Sequence, residues 1–419
     1  MEQAPRLERF LLAQGLHPDL IDIPACTQDF VSKLRAGLSG QPSPFMMLPT
    51  YLSTDVRIPV GGQAIAIDAG GTNLRAALVS FDSDGPSIRW QSKAPMPGTQ
   101  GPVSKREFLA AMARQIAPVL DRASHLGFCF SFPADIQPDL DARVICFNKN
   151  VRVSEAEGML LCRELSPHLP GHYTTAVVND TAAAYMGGVS QPGRFDGAMG
   201  FILGTGTNTC YPESVSNMTG VSGFSGQRML VNIEAAGFDG FPRSRLEEDL
   251  DEASTTPGEH LYEKAVSGVY LGDLIGRVLK AAAQSGLIGP GFTSLPAFDM
   301  AAVDAFLQGR GDDPLSNACG NLEDAEAAAW LCGQCMERAA RLVTVNLSAV
   351  LLQGNFGIDA PARIITEGST FWRCQAYQTR IQDNMEAYAG RVLGRQWRFF
   401  QAADANLIGA AAAALCKIQ

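Results

Sequence analysis

Gly61-Gly62-Gln63-Ala64-Ile65-Ala66-Ile67-Asp68-Ala69-Gly70-Gly71-Thr72-Asn73-Leu74-Arg75-Ala76-Ala77-Leu78-Val79-Ser80-Phe81 reads as a β-hairpin with chemistry at its turn. Ala64 to Ile67 and Ala76 to Val79 are short apolar runs suited to strands buried on both faces. Between them, two glycines let the backbone turn back and approach another group closely, while the Thr72 hydroxyl and freed amides become outward donors. Such a turn suits a phosphate chain. Asp68 ends the first strand as a carboxylate beside it, where a Mg²⁺ carried by nucleotide phosphates, or one of its waters, needs an oxygen ligand. On this stretch alone an ordinary Gly-Gly hairpin with an exposed Asp explains the pattern as well.

A second copy shifts the balance. Residues 200–211, Gly-Phe-Ile-Leu-Gly-Thr-Gly-Thr-Asn-Thr-Cys-Tyr, again run strand, glycine turn, strand. Gly206-Thr207-Asn208 aligns with Gly71-Thr72-Asn73, and Leu203 falls where Asp68 stood. A repeated phosphate-type hairpin implies two related halves facing a shared nucleotide, with only the first supplying the metal-directed carboxylate. Gly204-Thr205-Gly206 lacks the third glycine and the following helix of a dinucleotide fingerprint.

The 419 residues allow two or more domains, and 46% apolar with 18% charged residues is the balance of a soluble globular chain. A net charge of −10 without any Lys/Arg cluster argues against nucleic acid or an anionic membrane as partner. Met1 to Leu20 mixes charges among apolar residues, giving an amphipathic helix rather than a signal peptide. Leu407 to Cys416 is too short to span a bilayer and reads as a buried Ala-rich helix. The ten cysteines lack framework spacing, and the Cys332/Cys335 pair fits a packed helix face better than zinc. A cytoplasmic location is expected.

Along the chain, residues 1–38 are expected to be helical, and Ser104 to Leu120 carries a helical period in Phe108, Met112, Ile116 and Leu120. The strand Gly127 to Phe130 exits at Ser131, a position that lines ligand crevices in α/β sheets, although a Ser opening a turn before Pro133 is the commoner case. Thr175 to Val178 exits at Asn179-Asp180 and passes directly into a helix. Asp180 is either a helix N-cap or a carboxylate beside a transferred phosphoryl group, and the surrounding motifs favour the second. Val231 to Glu234 reads as a further strand. Glu263-Lys264, taken alone, reads as a solvated helix face. Residues 310–325 read as an exposed connection before a long helix from Ala325 to Leu352, and Asn406 to Ala414 as the last helix.

With these pieces in place, the chain resembles the hexokinase family, from Met47 nearly to the end. The matching stretches are Met47-Leu48-Pro49-Thr50-Tyr51, Asp68 to Arg75, Phe130-Ser131-Phe132-Pro133, Asn179-Asp180-Thr181, Gly204 to Asn208, Asn232-Ile233-Glu234, and Pro257-Gly258 with Leu261 to Lys264 and Ser267 to Gly272. The resemblance implies an α/β, two-domain actin-like ATPase (ribonuclease H-like) fold with duplicated β-hairpin phosphate motifs and a central cleft. It implies a small domain of 55–181 plus 403–419 and a large domain of 1–54 plus 182–402. It also implies transfer of the ATP γ-phosphoryl group to the 6-hydroxyl of a hexose, glucose first, for glycolysis; another hexose, or a sugar sensor with little turnover, are the alternatives.

By resemblance, Asp180 is the base, and Ser131, Phe132, Pro133, Asn148, Lys149, Asn179, Asp180, Asn208, Glu234 and Glu263 bind the sugar. Asp68, Gly70, Gly71, Thr72, Asn73, Arg75, Gly206, Thr207, Gly368 and Ser369 bind the nucleotide, with Asp68 holding Mg²⁺ through water. The residue chemistry agrees, because a hexose presents several hydroxyls to fixed acceptors while its reacting hydroxyl needs a carboxylate. The chain has Asn148-Lys149 where the family has Thr-Lys, Ala235 where it has Trp, and Glu367 where it has Asp.

Overall fold

A computed structural model of the protein describes residues 4–55, 57–147 and 150–417. Helices α1 (Ala4–Gln14) and α2 (Ile23–Leu38) lead to strand β1 (Leu48–Ser53). Then come β2 (Gly62–Ala69), β3 (Asn73–Asp82), β4 (Gly85–Pro95), α3 (Lys105–Ile116), β5 (His125–Phe130), β6 (Thr174–Val178) and α4 (Asp180–Val189). The second half has β7 (Ala198–Leu203), β8 (Thr207–Ser214), β9 (Arg228–Asn232), α5 (Arg245–Glu252), α6 (Leu261–Val266), α7 (Gly268–Gln284), α8 (Met300–Leu307) and α9 (Leu322–Gln353). It closes with β10 (Ala362–Glu367), α10 (Ser369–Arg373), α11 (Gln375–Met385), β11 (Trp397–Phe400) and α12 (Ala405–Leu415).

The strands pair into one sheet ordered β6-β5-β2-β3-β4 and another ordered β1-β9-β8-β7-β10-β11. Apart from β1, the two repeat one pattern. Each has an antiparallel three-strand meander, β2-β3-β4 or β7-β8-β9, extended from its first strand by two parallel strands. The duplicated hairpin of the sequence is therefore the corner of a duplicated sheet, and the two glycine turns occupy equivalent places.

Residue size along β2 assigns the layers. Ala64 and Ala66 face one side with Ala77, Cys129 and Ala176, and pack against the Ala-rich α12. Ile65 and Ile67 face the other with Leu78, Phe128 and Val177, against Phe108, Met112 and Ile116 of α3. Small residues bring a helix backbone close to the sheet, and large ones fill a wider gap. Gly127 carries this furthest, since a Cβ there would strike the Ala410 carbonyl. The larger core is built on α9, buried along most of its length, with α2, α7 and α11 around it. Cys332 and Cys335 lie inside that core, and no group of three metal-ligating side chains occurs among the described residues.

Helix α4 packs on β7, β8 and β10 of the second sheet, whereas α12 packs on β5, β2 and β6 of the first. The two helices cross with almost no side chain between them. A Cβ at Gly187 would meet Ala405, and one at Gly409 would meet the Ala183 carbonyl.

Several expected boundaries move. The connection over 310–325 contains a short helix at Pro314–Ala318, and α9 starts at Leu322 under an Asn321 cap. The strand expected over 231–234 ends at Asn232, because Glu234 turns into the left-handed region at φ 55°. No helix among the described residues is long and apolar enough to cross a membrane.

The α4/α12 crossing has a direct test. Gly409→Ala should destabilise the protein by about 2 kcal/mol or more, because a well-packed backbone contact must open. Gly171→Ala, where nothing lies within 4 Å of the added carbon, should stay within about 0.5 kcal/mol. Equal melting temperatures for the two variants by calorimetry would refute the close crossing.

Candidate active site

At the first glycine turn, Gly70 N–H donates to Asn73 O at 3.2 Å and Ser131 N–H donates to Ala69 O at 3.2 Å, so the end of β5 is tied to the turn. Thr72 is exposed at the tip. Asp68 is buried, and its Oδ2 accepts from Arg75 Nε at 2.9 Å and Nη2 at 2.5 Å. Arg75 sits seven residues on, opposite Asp68 in the β2–β3 register. Its other arm reaches Asp404 Oδ1 at 3.2 Å, and Asp404 holds a left-handed backbone at φ 49° just before α12. A cleft of about 460 Å³ opens here, lined by Arg75, Glu367, Asp404 and Asn406 among others. Burial pushes the Glu367 carboxyl up to about 7, with the Arg75 charge pulling it down and the Asp404 charge pushing it up.

At the second turn the boundary of β8 decides which threonine is available: Thr205 lies in the turn and Thr207 opens the strand. Thr207 was expected in the phosphate cradle, but its hydroxyl donates to Ile202 O at 2.8 Å, its N–H donates to Glu263 Oε2 at 2.9 Å, and it is buried. Thr205, two positions earlier, is the exposed one. Gly206 makes room for a neighbour. A Cβ on it would lie 2.5 Å from Glu263 Oε2, so the missing side chain admits a carboxylate. Gly368, at φ 115°, abuts the Leu203 carbonyl, and Thr370 Oγ1 donates to Gly204 O at 2.9 Å. Thr205, Gly268, Asp299 and the exposed Ser369 thus border a second cleft of about 350 Å³.

Between these turns lies a cluster of carboxylates and amides. Asn208 Nδ2 donates to Asn232 Oδ1 at 2.8 Å and to Glu234 Oε1 at 2.9 Å, and Asn232 Nδ2 donates to the same Glu234 oxygen at 2.5 Å. Burial raises the Glu234 carboxyl above its ordinary range; the two amides oppose this, while the charges of Asp180 and Glu263 push it further up. Glu234, just after β9, therefore feels both the Asp180 carboxylate at the start of α4 and the Glu263 carboxylate of α6. Asn179, not Asp180, caps α4, its Oδ1 accepting from Ala182 N–H at 2.8 Å. Asp180 is the first helical residue, half-buried, with Oδ1 accepting from Thr181 N–H at 2.8 Å.

Other expected members differ. The Phe132 ring is buried against Phe130 at 5.2 Å and Phe147 at 4.8 Å, so it supports the loop from inside, while Ser131 is half-buried and Pro133 exposed. Asn148 and Lys149 lie outside the described residues. Lys264 is not on a solvated face. It is buried, with Nζ donating to Asp251 Oδ1 at 2.6 Å, Thr256 O at 2.6 Å and Glu259 O at 2.8 Å. Sequence reading passed over Thr205, Asn232 and Asp404, although Asn232 stands two residues before Glu234 and Thr205 between two glycines.

Two family models, both described as hexokinase, match residues 12–189 and 198–416. The chain belongs to the hexokinase family. Hexokinase-1 of Schizosaccharomyces pombe is 27% identical over 92% of this chain and 85% of its own. Human hexokinase-1 is 30% identical over 92% of this chain, which spans 45% of that protein. The structure of a Schistosoma mansoni hexokinase complexed with glucose superimposes with a TM-score of 0.78 at 22% identity, covering 99% of both chains. The fold is thus the two-domain, actin-like fold of this family of ATP-dependent sugar kinases, and the duplicated meander is its repeat.

Glu367, the residue in place of the family's Asp, gives this hexokinase fold a pH signature. Its carboxyl holds a proton in the folded chain at pH values where the unfolded chain, near 4.5, has lost it. The stability this supplies is complete below about 4.5 and disappears as pH rises through about 7. Glu367→Gln should therefore be the more stable protein at pH 8, by on the order of 1–3 kcal/mol, and the gap should close toward pH 5. Melting curves that run parallel to wild type across that range would place the titration elsewhere.

Proposed function

We propose that this chain transfers the γ-phosphoryl group of ATP to the 6-hydroxyl of a hexose, with glucose as the first candidate, and that the product feeds glycolysis in the cytoplasm. The observation that carries this reading is the meeting of Asn208, Asn232, Glu234 and Glu263 with Asp180 between two phosphate-type turns. A sugar offers hydroxyls that donate, and amide-braced carboxylates are matched acceptors for them in a partly buried site.

In this reading Asp180 accepts the proton of the sugar 6-hydroxyl as that oxygen forms its bond to the γ-phosphorus, and the bond to the β-phosphate oxygen breaks to release ADP. The exposed Thr72 and Thr205, one on each turn, would be donors to the phosphates, with Arg75 the cation beside the first turn. The adenosine would occupy the cleft bordered by Ser369 and Asp299. Mg²⁺, when bound, neutralises phosphate charge. The residues fit a metal that arrives on the nucleotide: Asp68 already serves Arg75, so it suits a bond to a metal-bound water better than direct ligation.

The two bodies are read as 55–181 with 403–419 and 1–54 with 182–402. The pairing of the sheets supports that division, as does α12 packing on the first sheet. Asp180 then belongs to one body and Asn208, Glu234 and Glu263 to the other, so a bound sugar draws them together and excludes water as a competing acceptor.

A coupled ADP assay over a panel of glucose, mannose, fructose and amino sugars tests the reading, and no turnover on any of them would refute it. Asp180→Asn, which keeps the shape but cannot accept a proton, should lower kcat by roughly 10²-fold or more with sugar binding largely retained. Near wild-type kcat in that variant would remove Asp180 from the chemistry. Glu234→Ala and Glu263→Ala should each weaken sugar binding by on the order of 1–3 kcal/mol, because hydroxyls are left unpaired. Unchanged calorimetric affinity in both would put these residues outside the site.

A further inference from the structure

Glu263 is held at one end by the Thr207 amide, and its other oxygen faces a residue that neither the motifs nor the reaction has used. His260 Nδ1 lies 3.8 Å from Glu263 Oε1, an ion-pair distance too long for a hydrogen bond. The backbone presents it deliberately. His260 sits at φ 56°, ψ 38°, in the left-handed region, immediately before α6. Histidine enters that region more readily than most side chains, but it remains a strained choice that persists only where the surroundings fix it.

The fixing comes from below. Buried Lys264 binds the carbonyls of Thr256 and Glu259, and Asp251 Oδ1, so the chain reaching residue 259 is pinned from the interior. Gly258 N–H donates to both Asp251 oxygens at 3.1 Å, closing the loop on the same anchor. His260 is therefore delivered to Glu263 by a loop tied to a buried ion pair, while its imidazole remains about half exposed, at 52%.

We propose that His260 is a positioning residue for Glu263: its imidazolium holds the second oxygen of that carboxylate and so keeps Glu263 in the orientation in which it receives the sugar. The inference rests on the sugar-kinase reading and adds a residue to it. The charged groups facing the imidazole are Glu263 and Glu259, which favour its protonation, and Lys264, which opposes it. The Glu263 contact is the largest cause, and against the opposing effect of burial it lifts His260 above its ordinary value. On the far side Glu263 acts on Glu234 and on Tyr270 of α7, so a cation on its outer edge also relieves repulsion within the carboxylate cluster.

The sign follows. Below the titration of His260 the imidazolium is present and Glu263 is held; above it the clamp is released. His260→Asn removes the charge and keeps a residue tolerant of the left-handed backbone. Its sugar KM should exceed the wild-type value by about threefold near pH 5.5 and converge with it near pH 8.5, the scale expected of a half-exposed pair. The kcat of the two proteins should stay together. A KM ratio constant across pH, or equal to one throughout, overturns the proposal. NMR titration of the His260 imidazole, without substrate, should show a raised pKa that falls in Glu263→Gln, and a titration unmoved by that substitution also overturns it. Failure of wild type to phosphorylate any sugar would overturn the underlying reading instead, and the NMR result tells the two failures apart.

Discussion

Helices α4 and α12 cross with the carbonyls of Ala183 and Ala405 set against Gly409 and Gly187, and the site depends on that contact. Each helix is the cover of a different sheet, so their separation fixes how far apart the two glycine turns stand. Both begin at the cleft: α4 starts at Asp180, and α12 starts immediately after Asp404. Their amino-terminal ends carry partial positive charge from aligned peptide dipoles. A single crossing thereby aims two favourable fields at the place where phosphates and a carboxylate would gather.

The electrostatic task is unusual for a chain with a net charge of −10. Asp68, Asp180, Glu234, Glu263, Glu367 and Asp404 all lie near the two turns, while Arg75 is already shared between Asp68 and Asp404. In the proposed reaction an anionic co-substrate would be accommodated there chiefly by backbone N–H groups, hydroxyls and whatever cation it carries. The acidic lining suits a neutral polyol. It also explains why amides brace Glu234 so closely, since each donated hydrogen bond offsets the cost of keeping a buried carboxylate charged.

The hairpins, the strand exits at Ser131 and Asp180 and the Ala-rich last helix were legible because each is local: glycines between apolar runs, or a polar residue closing one. What could not be read depends on partners far away in the chain. Thr205 and Thr207 look alike in sequence, yet the first lies in the exposed turn and the second opens β8 opposite Leu203, where it is buried. Glu263 and Lys264 look alike as a solvated pair, yet one reaches the second turn and the other is buried on Asp251. The Phe132 ring turns inward because Phe130 and Phe147 supply a cluster for it, and Gly206 owes its need for glycine to a carboxylate 57 positions further on.

The covering of the first sheet by α12 has a consequence for how the chain acquires its shape. Ala64, Ala66 and Ala176 are within the first 180 residues, but the helix that shields them is not made until residues 405–415. During synthesis one face of that sheet has no lid while more than half of the polypeptide is still to be made. The loop closed when α12 docks on β2 is among the longest the chain contains, which favours late assembly of this half and a prior, independent collapse around α9. Small side chains soften the exposure, since a face of alanines offers little for a stranger to grip. The same alanines that allow the intimate crossing in the finished molecule thus protect the unfinished one from sticking to its neighbours.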